Sequence, residues 1–114
     1  MQDITIRQKT FCAEHQSPFD PLDPKSTLGF ALSTEGKRPI NGLRHRPVNN
    51  TNGWYVWCRE DSSASAEFFS PLCVEHIYKN HPELIGALRL APGFRFVIAG
   101  DYVDVWYNES LLTY

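Results

Sequence analysis

Between Phe94 and Tyr107 the chain reads Phe-Arg-Phe-Val-Ile-Ala, then Gly-Asp, then Tyr-Val-Asp-Val-Trp-Tyr. Both flanking runs are rich in aromatic and β-branched residues, and a glycine leads the connector between them. That is the chemistry of a type II′ or I′ turn, so the two runs pair as an antiparallel hairpin. Alternation places Phe94, Phe96 and Ile98 on one face and Arg95, Val97 and Ala99 on the other. The partner run splits into Tyr102, Asp104 and Trp106 against Val103, Val105 and Tyr107. A rigid aromatic hairpin of this kind needs further elements to cover it, and the rest of the chain must supply them.

Trp54-Tyr55-Val56-Trp57-Cys58 is a second strand, preceded by the turn dipeptide Asn52-Gly53, and Leu28 to Leu32 is a short third one. The first fifteen or so residues read as a helix with Ile4, Phe11 and Cys12 on one face. Pro18, Pro21 and Pro24 then remove donors at every third position, which makes residues 17 to 27 an extended connector. Residues 35 to 53 read as a long loop, and Glu60 to Glu67 as another. Pro71 opens a helix over Leu72 to Asn80, where Val74, Ile77 and Tyr78 share a face; His81-Pro82 ends it. Glu83 to Leu88 reads as a further short helix, and Pro92-Gly93 as a turn. The expectation is one α+β domain over residues 1–114. It has an antiparallel sheet of about four strands and two or three helices packed on one face.

The 114 residues suffice for one core, and 42% apolar with 21% charged residues is the balance of a globular chain. A net charge of -2 argues against nucleic acid or an anionic membrane as partner. No apolar run approaches a membrane span, and Met1 to Arg7 lacks the basic and apolar regions of a secretory signal. Three cysteines cannot all pair within one chain, and Cys12, Cys58 and Cys73 form no CxxC. Free thiols in the cytoplasm are therefore expected. Asn49-Asn50-Thr51 and Asn108-Glu109-Ser110 match the glycosylation pattern, which carries no weight without export.

Three constellations could carry chemistry. Cys12-Ala13-Glu14-His15 and Cys73-Val74-Glu75-His76 place a thiol and an imidazole at i, i+3 on helices, with His81 as a further ligand for a metal. Their plainer reading is small core cysteines and helix-end histidines. A thiolate-imidazole pair between Cys58 or Cys73 and His45 or His76 would suit a small enzyme, although no nucleophile elbow, zinc helix motif or phosphate loop accompanies it. The third is charge segregation. Lys37, Arg38, Arg44, Arg46 and Arg59 lie in a stretch without acids, while Asp101, Asp104 and Glu109 lie in a stretch without bases. Either these groups pair within the molecule, or they steer a complementary protein partner. Arginines beside Trp54, Tyr55 and Trp57 also suit nucleic acid, against which the overall charge speaks.

Pro39 to His45, Asn50 to Trp57, Phe68 to His76 and Pro92 to Leu112 resemble segments of a small bacterial family, the immunity protein 33-like domains. The likeness covers most of the chain from about Leu28 onward. One departure is Cys73, where the family often carries histidine, which makes that position a ligand type in either form. The resemblance implies a cytoplasmic protein that binds and neutralises a cognate toxin, with no catalysis of its own; no cofactor or metal is expected. Loop length and charge separation nominate Arg38, Arg44, His45 and Arg46 with Asp101 and Tyr102 of the hairpin tip as the contact surface. The alternative is a small metal-binding or thiol-dependent enzyme using Cys73, His76 and His81.

Overall fold

The computed structural model describes residues 4–20, 22–47, 51–58 and 69–112. Helix α1 (Ile4–Glu14) leads through the connector to β1 (Thr27–Phe30), β2 (Ile40–Arg44) and β3 (Thr51–Cys58). Strand β4 (Ser70–Cys73) runs directly into helix α2 (Val74–Asn80), and 3-10 turns at Pro82–Leu84 and Ala87–Arg89 carry the chain to β5 (Phe94–Ala99) and β6 (Tyr102–Tyr107). The six strands form one sheet in the order β4-β1-β3-β2-β5-β6. All described pairings are antiparallel except β1 with β3, which run parallel.

The α+β class, the N-terminal helix and the terminal hairpin are as expected; the sheet is larger than four strands and mixed. Two strands escape the hydrophobic pattern. β2 sits inside the stretch read as a loop, because Asn41, Gly42 and Arg44 give it no strand-like composition. β4 contains Pro71 and was expected to begin a helix; the helix starts only at Val74. Proline is compatible with β4 because that strand lies at the sheet edge, where a missing donor costs no ladder bond. The expected helix over Glu83 to Leu88 is a pair of 3-10 turns. Arg59 and the Glu60–Glu67 segment lie outside the described residues.

The strand registers divide the sheet into two faces. Leu28 and Phe30, Ile40, Gly42 and Arg44, Trp54, Val56 and Cys58, and Phe94, Phe96 and Ile98 form the inner face. Val74 and Ile77 of α2, Cys12 of α1, and Leu84, Leu88 and Leu90 of the turns pack against it. Trp54 is fully buried there, donates its indole N–H to the Leu88 carbonyl at 2.9 Å, and meets Phe96 at 5.4 Å between ring centroids. Residues at β5 alternate buried and half-buried, matching the faces read from the sequence. The hairpin turn is type II′: Gly100 has φ +61° and Asp101 is not in the left-handed region.

Asn52-Gly53 lies within β3, not in a turn before it. Thr27 is opposite Thr51 while Gly29 is opposite Tyr55, so β3 carries extra residues between those points. Gly53 has φ +93°, and its carbonyl accepts the His45 amide at 2.9 Å. A Cβ at Gly53 would stand 2.0 Å from the His45 carbonyl oxygen, whereas one at Gly36 (φ +91°) would meet nothing within 4 Å. Both substitutions carry the left-handed penalty of about 1–2 kcal/mol, and only Gly53 adds a backbone collision. Gly53→Ala is therefore expected to lower the melting temperature well below that of Gly36→Ala, measured by circular dichroism on the two variants side by side.

Candidate functional site

Arg44 ends β2 on the inner face, and it is 1% exposed. Its Nε donates to the Asn52 carbonyl at 3.0 Å, and Nη1 donates to the Leu90 carbonyl at 2.7 Å. Nη1 also pairs with Asp20 Oδ2 at 3.1 Å, while the guanidinium lies 5.7 Å from the centre of the Trp54 ring. Burial lowers the Arg44 pKa and the Asp20 carboxylate opposes that shift. The expectation that Arg44 lies on a contact surface is corrected: strand alternation turns it inward, and its charge is consumed by the connector and the turns.

A buried polar chain continues from this point. Arg89 lies 4.1 Å over the Phe19 ring, donates to the Asp20 carbonyl and reaches Gln8 Oε1 at 3.4 Å. Gln8 in turn donates to Tyr78 Oη at 2.8 Å and the Ile85 carbonyl at 3.0 Å. The connector and α1 are thus tied to the turns by hydrogen bonds and cation-π contacts as well as by apolar packing.

The other nominated residues do not gather in one patch. Ile40 pairs with Ile98, and Ala99 with Tyr102, so the start of β2 lies at the turn end of the hairpin with Asp101 and Tyr102. Arg38, just before β2, is exposed and pairs with Glu83 at 3.4 Å. His45 and Arg46 follow β2 at its other end, about 16 Å along the strand. His45 is half-buried, with Nδ1 3.0 Å from the Leu111 carbonyl and its ring 5.6 Å from that of Tyr55; Arg46 is exposed. Asp101 and Tyr102 are exposed, Tyr102 at 59%. Arg38 and Arg44 therefore pair with Glu83 and Asp20, not with the acids of the hairpin.

The cysteines and histidines of the alternative reading stay apart. Cys12 and Cys58 are buried, and burial raises both thiol pKa values. Cys73 Sγ donates to the Pro24 carbonyl at 3.1 Å, and His76 is exposed on α2. His81 Nε2 lies 2.7 Å from Glu35 Oε2, and its ring stacks on Phe30 at 5.3 Å. Among the described residues no three His, Cys, Asp or Glu side chains converge as metal ligands would.

The model of the Imm33-like domain matches residues 7–108, most of the chain. The chain belongs to the Imm33-like domain family. Comparison with the curated proteins and with solved structures found no match. Among its described residues no helix is long and apolar enough to cross a membrane.

The Imm33-like domain also carries a surface of which only Tyr102 is among the residues nominated from the sequence. Helices α1 and α2 and the turns at Pro82–Leu84 and Ala87–Arg89 pack on the inner face; on the outer face β5 is half-buried and β6 is exposed. Arg95 and Val97 of β5 are half-buried there, beside exposed Tyr102, Asp104 and Trp106 of β6. The Arg95 guanidinium lies 5.4 Å from the centre of the Trp106 ring, and its buried Nε has no hydrogen-bond acceptor among the described residues. Towards β3 the same face is closed by Tyr55 and Trp57, which meet Phe69 edge-on at 5.2 and 6.3 Å. The available signal was the alternation of the hairpin itself; which of its two faces would be covered depended on helix placement, which alternation does not report.

Four outcomes are expected. Arg44→Glu should unfold the Imm33-like domain or cost about 3 kcal/mol or more, since it leaves Asp20 facing a second carboxylate and two buried carbonyls without donors. Arg46→Glu should leave urea unfolding unchanged. For the buried thiols, the folded pKa lies above the unfolded one, so the unfolded chain gives up protons first as pH rises. Stability is complete below the unfolded thiol pKa of about 8.5 and falls above it. A melting series from pH 7 to pH 10 checks this, and native titration with a thiol reagent should modify Cys73 well before Cys12 and Cys58.

Proposed function

We propose that this protein binds a cognate toxin protein and neutralises it by occlusion, without catalysis. The observation that carries the reading is membership of the Imm33-like family over residues 7–108. The side-chain chemistry agrees with it. Cys12 and Cys58 are held as protonated core thiols, and His81 and His45 are committed to Glu35 and the Leu111 carbonyl. What the molecule offers to a partner is surface: exposed Arg46 beside His45 at one end of β2, and Arg38, Asp101 and Tyr102 at the other. The outer face of β5 and β6 runs between these ends, with Trp106 and Tyr102 as its large amphipathic side chains. Aromatic and arginine side chains of this kind supply much of the energy in protein interfaces.

The test is co-expression with toxin domains encoded by the open reading frames that neighbour this gene, followed by pull-down and a growth assay. Wild-type protein should rescue growth and form a complex that survives purification. Tyr102→Ala and Arg46→Glu should each weaken that complex about tenfold or more while the melting temperature holds. Rescue of growth without any stable complex would overturn the reading, because it would mean that the protein acts on the toxin or its product by turnover.

A further inference from the structure

We propose that two copies of this chain associate through β6, antiparallel about a two-fold axis at Val105, to make one continuous sheet. The two edges of the sheet differ in a way that bears on this. β4 is four residues long and carries Pro71, a residue that blunts an edge against strand addition. β6 is six residues long, pairs with β5 in an unbroken register from Tyr102 to Tyr107, and contains no proline, glycine or lysine. Among the described residues nothing pairs with its other side. Tyr102, Val103, Trp106 and Tyr107 are 59%, 42%, 37% and 50% exposed, so this one strand holds most of the large exposed apolar side chains described. Exposed aromatics on both faces of an edge strand are what a neighbouring strand covers.

The register follows from hydrogen bonding and charge. The Asn108 amide donates to the Gly93 carbonyl at 2.7 Å. With a period of two, Trp106, Asp104 and Tyr102 then point their backbone groups at β5, and Val103, Val105 and Tyr107 point theirs outward. Pairing Val105 with Val105 of a second copy joins all of these outward groups, and it sets Val103 against Tyr107 on the inner face. On the outer face it sets Asp104 of each copy against Trp106 of the other. Trp106 is the ring over which Arg95 lies, at 5.4 Å. Arg95 has no ion-pair partner among the described residues, and neither has Asp104. Across the proposed junction their Cα atoms are about 10 Å apart, within the reach of an arginine already lying over the intervening ring. The two-fold axis supplies this contact twice. Shifting the register to centre on Asp104 would oppose Asp104 to its own copy, so charge selects the Val105 register.

The closed symmetry leaves both outer faces on the same side of the joined sheet. The inference uses the backbone edge of the strand whose outer face the proposed toxin contact uses, and it is tested without a toxin, so the two can fail separately. Sedimentation equilibrium or light scattering on the purified chain should give twice the 13.1 kDa of one chain at micromolar to high micromolar concentration. Val103→Lys and Asp104→Arg, both at exposed positions, should each weaken dimerisation about tenfold or more with unchanged circular dichroism and melting temperature. Arg95→Asp combined with Asp104→Arg should restore it. A chain that stays monomeric across that range overturns the proposal, and so does a dimer that all of these variants leave intact.

Discussion

The structure depends on one charge held inside it. Arg44 stands at the end of β2, on the face of the sheet that the helices cover. Its donors reach a neighbouring strand at Asn52, the second 3-10 turn region at Leu90, and the connector at Asp20. These segments lie far apart in sequence, and although Phe19, Leu22 and Leu90 join one apolar core, non-directional packing fixes their relative positions less sharply than directed hydrogen bonds do. A planar guanidinium with several fixed donors specifies them, at the cost of desolvating the charge. The depressed pKa of Arg44 is the mark of that cost, and the Asp20 carboxylate is what keeps it bearable.

This arrangement also explains which parts of the fold were legible in the sequence. The hairpin, β1, most of β3 and the N-terminal helix announce themselves through alternation, aromatic runs and helical spacing, signals that depend on the residue and its near neighbours. β2 does not. Its Gly42 is required because a Cβ there would meet the Phe96 ring at 2.3 Å. Its Arg44 is tolerated only because Asp20 and Leu90 arrive from elsewhere. Both reasons lie in distant residues, so the strand looks like a polar loop when read locally. Gln8 is a parallel case: a polar residue on a helix face is ordinarily solvated, and here it is 1% exposed because Tyr78, Ile85 and Arg89 satisfy it.

The candidate surface was half legible for the same reason. Exposure of Arg46, Asp101 and Tyr102 follows from their place in loops and at a turn. Arg44 is only two residues from Arg46 and has an identical side chain, yet strand alternation and one carboxylate put it inside. A cluster of basic residues in sequence therefore does not translate into a basic patch in space. The members that fall on a strand are sorted by parity, and those beyond its end are not.

The division of labour between the two sheet faces has a consequence for binding. A helical layer confined to one face buries the inner side chains of β1, β2, β3 and β5, but β6 lies at the margin of that layer, as the exposure of Val103 and Tyr107 shows. A strand at this margin is held by β5 on one side and by solvent on the other. Its aromatic content is then difficult to attribute to stability of the single chain, since Tyr102 and Trp106 contribute little to a core they do not enter. Side chains that are costly to expose and are nonetheless placed on an edge are better understood as part of a surface that becomes covered. The physical argument for a binding protein rests on that mismatch between what β6 displays and what the isolated fold requires of it.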